Sequence, residues 1–341
     1  MFQLPSNRFS PGRCSTNWKS NNQKQYRAVF LFGPTGVGKT AALEMLGSRI
    51  PGIEVISADS MQVYRGMDIG TAKADEGEQK AVPHHLLDIR NPDEGFNLAD
   101  FISLAEEKIL RISARGAVPV ISGGTAFYFK HLWFGLPQSP PGDPAVRREL
   151  EKELKSRSAE QLHRELSEID PESADRIHPN DSYRIIRALE VYRSSGRPLS
   201  DYHVPDSPRN DMDLLVYGLD RPRDELYERI NLRVENMFKS GLESELCRLM
   251  RSGYTKHDPG MKAIGYREFF RDEYRDELLS RGRLGEEHRS RVLEEIQTAS
   301  RRYAKRQLTF FRALPDVKWI HPDNAAEIIH EITGKFNVQE L

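Results

Sequence analysis

Cysteine is nearly absent from this chain: its 341 residues hold only Cys14 and Cys247, far apart in sequence. That excludes a disulfide framework and a cysteine-rich zinc site, and a reducing compartment is expected. Long apolar runs are missing as well. Nothing approaches the roughly 20 residues a helix needs to cross a bilayer, so a soluble protein with no membrane partner is expected. Net charge is −1, which excludes a globally polybasic protein but not a local basic track, so partners must be argued from charge placement. Acidic residues are absent from Met1 to Arg27, a stretch of Asn, Ser, Gln and basic residues. It reads as a disordered tail over residues 1–27 and not as a transit sequence, since its arginines are few and no amphipathic pattern runs through it.

What is present begins with Gly33-Pro34-Thr35-Gly36-Val37-Gly38-Lys39-Thr40, directly after the apolar run Ala28 to Phe32. Glycines at this spacing let the backbone turn with its N–H groups aimed at phosphate oxygens, Lys39 adds a point charge, and Thr40 offers a hydroxyl to Mg²⁺. The following helix presents its positive N-terminal end to the same anion. Asp59 falls just past a second strand, Ile53 to Ser57, where open α/β sheets place ligands. A carboxylate there is a metal ligand, a base, or a capping residue in a turn.

The length suits one large or two moderate domains. Strand-like runs at Ala28 to Phe32, Ile53 to Ser57, His85 to Ile89 and Val118 to Ser122 alternate with helical patterns at Lys39 to Ser48 and Asn97 to Arg115. The expected fold class is therefore α/β, a P-loop-type parallel sheet flanked by helices. Pro137 to Pro144 reads as a linker. Beyond it the chain is charged, helical in period and free of strand signals. It is taken as an inserted all-helical domain over residues 143–204, with the core formed by 28–142 and 205–330. A buried strand, Asp213 to Leu219, resumes the core; helices follow at Arg223 to Ser252 and Leu284 to Ala313, then a last strand at Val317 to Ile320.

Several further constellations bear on chemistry. Gly123-Gly124-Thr125 follows a strand and either lines the same crevice or forms a tight turn with Thr125 as N-cap. The strand before it ends in Ser122, not in the acid with which nucleotide hydrolases hold Mg²⁺, so a transferase is favoured over a motor or switch. Gln297 to Arg312 has no acid and interleaves basic and aromatic residues. It either tracks polynucleotide phosphates, with Tyr303, Phe310 and Phe311 packed inward, or is an ordinary solvated face. Arg184 and Arg187 share a helix face and raise the same question. His84-His85 lacks further ligands at metal spacing and reads as structural or substrate-contacting. Met261 to Arg267 reads as a loop whose Tyr266 and Arg267 either meet nucleic acid or pack.

Taken together, these stretches resemble the tRNA dimethylallyltransferase (tRNA isopentenyltransferase) family. The resemblance runs from Ala28 to Arg312 and rests on the phosphate loop, Asp59-Ser60-Met61-Gln62-Val63-Tyr64, Ile69-Gly70-Thr71-Ala72-Lys73, Val82-Pro83-His84-His85 and Gly123-Gly124-Thr125 with Tyr128. Asn180-Asp181 through Arg184 and Ala188-Leu189-Glu190-Val191, Gly265-Tyr266-Arg267 and Tyr303-Ala304-Lys305-Arg306-Gln307 complete it. It implies transfer of a dimethylallyl group from dimethylallyl diphosphate to N6 of the adenosine 3′ to the anticodon, position 37, in tRNAs reading codons that start with U. Gly33 through Thr40 and Arg233 would hold the diphosphate, with Thr40 on Mg²⁺. Asp59 would be the general base, and Thr125 would orient groups beside it.

The resemblance further implies that the base is flipped from its stack and met by Asp59, Ser60, Met61, Gln62 and Thr125. On the insertion, Arg147, Tyr183, Arg184, Ile185, Ile186 and Arg187 would bind the anticodon stem-loop. In the core, Lys262, Gly265, Tyr266 and Arg267, then Lys305, Arg306, Gln307 and Arg312, would join them. Many bacterial members carry Gln at Tyr183 and Trp at Phe310. No Cys/His cluster follows the last strand, which suits a bacterial-type enzyme, a cytoplasmic monomer on this reading. The alternatives are a prenyltransferase acting on free AMP or ADP, which needs no large insertion, and a P-loop small-molecule kinase.

Overall fold

The computed structural model describes residues 25–341. Most of the expected tail lies outside them, but Tyr26 and Arg27, expected at its end, are the first residues of a strand. Six strands form one sheet: β1 (Tyr26–Phe32), β2 (Ile53–Ser57), β3 (His84–His85), β4 (Val118–Gly123), β5 (Met212–Leu219) and β6 (Lys318–Ile320), in the order β3-β2-β4-β1-β5-β6. Every neighbouring pair is parallel, so the expected α/β class holds.

The period of two along β1 explains why both faces are covered. Ala28, Phe30 and Phe32 point into one apolar cluster, Val29 and Leu31 into another, and a sheet buried on both sides needs helices on both. On the first face lie α3 (Leu98–Ser113) and α4 (Ala126–Phe134); on the second lies α1 (Lys39–Arg49), while α2 (Glu76–Ala81) precedes the β3 edge. Asn97 begins α3 with a capping box closed by Asp100.

The insertion is α5 (Pro144–Ser156), α6 (Ala159–Ile169), α7 (Pro171–Arg176) and α8 (Ser182–Ser195). Asp143 caps α5, with Pro144 in its first turn. Leu150, Leu162, Leu166, Ile185, Ile186 and Leu189 close a core of their own. The helix expected over Arg223 to Ser252 is broken by Gly241, at φ +99°, into α9 (Arg223–Lys239) and α10 (Leu242–Arg251). After α11 (Asp272–Arg281) and α12 (Glu286–Phe311), α13 (Ile329–Phe336) packs beside β6 and the second face. Helices α9 to α12 form a third cluster with Val63, Tyr64, Met67 and Tyr266.

One expected strand is corrected. The strand expected to run to Ile89 stops at His85, because Leu86 and Asp88 adopt left-handed backbone, φ 65° and 55°, which no extended strand contains. The short charged helices α2 and α11 lie outside the expected elements: α2 buries no residue, and α11 buries only Tyr274 and Leu278.

Candidate active site

Because the strands are parallel, the loops after β1, β2 and β4 emerge at one edge. They are packed tightly: a Cβ on Gly123 would lie 2.2 Å from the Ala58 carbonyl oxygen. Together with α9 and α12 these loops border a cavity of about 800 Å³.

The loop from Gly33 to Thr40 turns through left-handed backbone, with Gly36 at φ +80° and Gly38 at φ +110°. Its carbonyls are turned away and held from outside: Arg229 Nε donates to Gly36 O at 3.1 Å and Arg221 Nε to Val37 O at 2.8 Å. Lys39 Nζ folds back to donate to Gly33 O and Pro34 O at 3.0 and 2.9 Å. Burial, and then the Arg233 guanidinium, push the Lys39 ammonium down to about 7, against the opposing pull of Asp59. Arg233 is likewise lowered by burial and supported by Asp59. Two cations thus share a desolvated pocket with one carboxylate, a site short of negative charge.

Asp59 is both turn-former and free acid. Its Oδ1 accepts from Met61 N at 2.8 Å and Gln62 N at 3.3 Å, while Oδ2 has no hydrogen bond among the described residues. Thr125 stands at the start of α4 but makes no side-chain cap. Its hydroxyl oxygen instead accepts from Ser60 N at 3.1 Å, which ties the β2 and β4 loops together. Gln62 Nε2 donates to Ala72 O at 3.1 Å and Thr71 O at 3.4 Å. One donor in the set is a thread through the site: Gln307 accepts from Thr35 N at 2.9 Å and donates to Gly124 O at 2.7 Å.

Of the residues singled out in the sequence, Thr35, Gly36, Gly38, Lys39, Thr40, Asp59, Ser60, Met61, Gln62 and Arg233 border the cavity, and so do Lys262, Arg267, Arg306 and Gln307. Gly33 and Pro34 contribute carbonyls, and Val37 is buried beneath the loop. Five expected RNA contacts are corrected. Ile185 and Ile186 are buried in the insertion's core, and Tyr266 is fully buried under the third cluster. Gln307 is 4% exposed and spent on the bridge just described. Gly265 is also buried, at φ +97° against Gly70.

Outside the cavity, Tyr183 is 67% exposed, with the Arg147 guanidinium 5.1 Å from its ring centre. Arg184 is exposed and paired with Asp181 at 3.3 Å. Arg187 instead clasps the linker, donating to Pro140 O and Glu190 Oε2, each at 2.8 Å. Lys305 is exposed, and Arg312 pairs with Asp220 at 2.8 Å.

Tyr303 was read as packing, yet it borders the cavity. Burial and then Asp59 push its hydroxyl up to about 12, against the opposing pull of nearby Thr125 and Gln307. Its place one helical turn before Gln307 is the signal that could have found it. His84 and His85 are structural: His85 Nε2 meets Glu54 Oε2 and His84 Nδ1 meets Val82 O, each at 2.7 Å. No cluster of three metal-binding side chains occurs among the described residues. The chain therefore offers a cation chiefly the Thr40 hydroxyl at the cavity wall, a donor set that fits Mg²⁺ arriving with phosphate oxygens and water.

A model of the IPP transferase family matches residues 62–314. The chain is 43% identical over 296 residues to a tRNA dimethylallyltransferase of Syntrophobacter fumaroxidans, covering 85% of this chain and 82% of that protein. It is 38% identical over 321 residues to one from Bacillus cytotoxicus, covering 93% and 98%. Its fold is similar to the crystal structure of a tRNA isopentenylpyrophosphate transferase from Bacillus halodurans, with TM-score 0.63, 40% identity and 92% and 97% of the two chains covered.

Proposed function

This chain belongs to the IPP transferase family, and from that membership and its active-site cavity we infer that it is a tRNA dimethylallyltransferase, moving a dimethylallyl group from its diphosphate to tRNA. The observation that carries the mechanism is one cavity bordered by a cationic phosphate loop and a half-free carboxylate. We propose N6 of the adenosine 3′ to the anticodon as acceptor, in tRNAs reading codons that start with U. The enzyme acts as a cytoplasmic monomer on this reading. No helix among the described residues is long and apolar enough to cross a membrane.

In the proposed reaction the diphosphate lies on the loop's N–H groups, between Lys39 and Arg233. These groups stabilise the charge that gathers as the allylic C–O bond breaks. Diphosphate restores full protonation of Lys39 by supplying the anion the pocket lacks. The adenine amine attacks the allylic carbon, a C–N bond forms, and its proton passes to Asp59 Oδ2 while Oδ1 keeps the turn fixed. Mg²⁺, held by Thr40 and the ligand's own oxygens, would neutralise further charge on the leaving group. The target base must leave its stack, which costs least in a single-stranded loop. Half-exposed Arg147 and exposed Tyr183 and Arg184 on the insertion, with Lys262, Arg267, Lys305 and Arg306 on the core, would hold the RNA.

Incubation with labelled dimethylallyl diphosphate beside labelled ATP tests this, with unmodified tRNA or AMP as acceptor. Label transfer from the prenyl donor to tRNA alone is expected. Transfer to AMP with tRNA untouched, or phosphate transfer from ATP, overturns it.

A further inference from the structure

A carboxylate remote in sequence from every motif is buried behind the site. Glu245, on α10, is 5% exposed and meets four donors. Its Oε2 accepts from Asp68 N at 2.9 Å and Ile69 N at 2.8 Å. Its Oε1 accepts from Gly70 N at 3.2 Å and from the Tyr266 hydroxyl at 2.6 Å. Three successive N–H groups converging on one carboxylate form a nest, a geometry that fixes backbone as firmly as a bound anion would. Tyr266 fills the space beside it: a Cβ on Gly70 would lie 2.4 Å from its ring.

The far side of the same loop faces the cavity. The Thr71 and Ala72 carbonyls accept from Gln62 Nε2, and Thr71 O also accepts from Arg233 at 3.4 Å. Ala72 stands at φ 45°, a conformation that a non-glycine residue holds only when its surroundings impose it. Lys73 closes the loop, its Nζ on Tyr64 O at 2.8 Å and on Asp68 and Asp88 at 2.6 Å each.

We propose that Glu245, assisted by Tyr266, is a positioning residue: it fixes the loop 68–72 so that its carbonyls aim Arg233 at the diphosphate and Gln62 at the adenosine. The inference rests on the diphosphate reading of the cavity. Glu245→Gln keeps the shape but turns an amide toward N–H donors, so one side of the nest becomes donor against donor. Tyr266→Phe removes one donor and leaves the packing intact.

Calorimetry with inorganic pyrophosphate reads the consequence. Glu245→Gln is expected to raise its Kd about tenfold and Tyr266→Phe about threefold, with the KM for dimethylallyl diphosphate rising more than that for tRNA. Because the effect passes through Arg233, the double variant Glu245→Gln with Arg233→Ala should bind pyrophosphate no worse than Arg233→Ala alone. Wild-type affinity in both folded single variants, or additive losses in the double variant, overturns the proposal. Should Glu245→Gln fail to fold, Tyr266→Phe and its double variant with Arg233→Ala decide by the same criteria. Failure of the wild-type enzyme to prenylate tRNA while it binds pyrophosphate would count against the proposed function and not against this anchor.

Discussion

Replacing Asp59 by Asn separates its two roles. The amide oxygen can still accept from Met61 N and Gln62 N, now made by Oδ1 at 2.8 and 3.3 Å, so the turn after β2 should survive. The base is lost, and removal of a positioned base costs about 10²–10⁴ in rate, or about 3–5 kcal/mol on the barrier. Asp59→Ala loses the turn as well. Two half-buried N–H groups without their acceptor cost about 2 kcal/mol of stability in total at roughly 1 kcal/mol each, a loss Asn should not show. Single-turnover transfer at saturating tRNA and dimethylallyl diphosphate gives the rate, thermal unfolding gives the stability, and filter binding gives tRNA affinity, expected within about twofold of wild type for Asn on the scale of a surface substitution. A rate within tenfold of wild type for Asp59→Asn would refute the assignment. So would a large loss of tRNA affinity with the saturated rate preserved.

Other outcomes follow from the same geometry. Lys39 titrates near 7 in the free enzyme, and a bound anion raises it, so the complex holds the extra proton above that pH. Pyrophosphate affinity should therefore weaken with rising pH relative to Lys39→Met, by up to about tenfold per unit; parallel profiles would remove the linkage. Arg184→Ala should weaken tRNA binding and lower the slope of log K against log salt by about 0.7–0.9, and an unchanged slope would remove that phosphate contact. Gly123→Ala forces a methyl against the Ala58 carbonyl and should cost about 1–3 kcal/mol, with transfer falling further because the β2 and β4 loops part. Unchanged unfolding and rate would show that the loops have slack.

How much could be read from the chain depends on how far each relation reaches. The Gly33 to Thr40 turn, Asp59 after its strand and the run of helices after Pro144 are local patterns of spacing and period, legible without the fold. Relations across the fold were not legible. Glu245 is 175 residues from the Gly70 amide it binds, and Gln307 is 272 from Thr35; nothing in either neighbourhood announces the partner. Burial misled where motif membership was taken as contact. Ile185 and Ile186 flank exposed Arg184 and half-exposed Arg187, yet α8 turns them inward, as its 3.6-residue period requires. Thr125 reads in the sequence as either cap or site residue; its hydroxyl makes no cap and accepts from Ser60 N instead.

Helix α12 crosses the molecule as a beam. Val292 and Ile296 are set in the third cluster, Ala304 in the second and Phe311 in the first, and Gln307 pins two substrate-facing loops to its flank. Three foundations on one strut cannot settle independently. The four-helix arm shares none of them; it joins the body through two stretches of single chain, one of them gripped by Arg187. A polynucleotide gripped by the arm, as proposed above, would load those two joints first and the strut only through them.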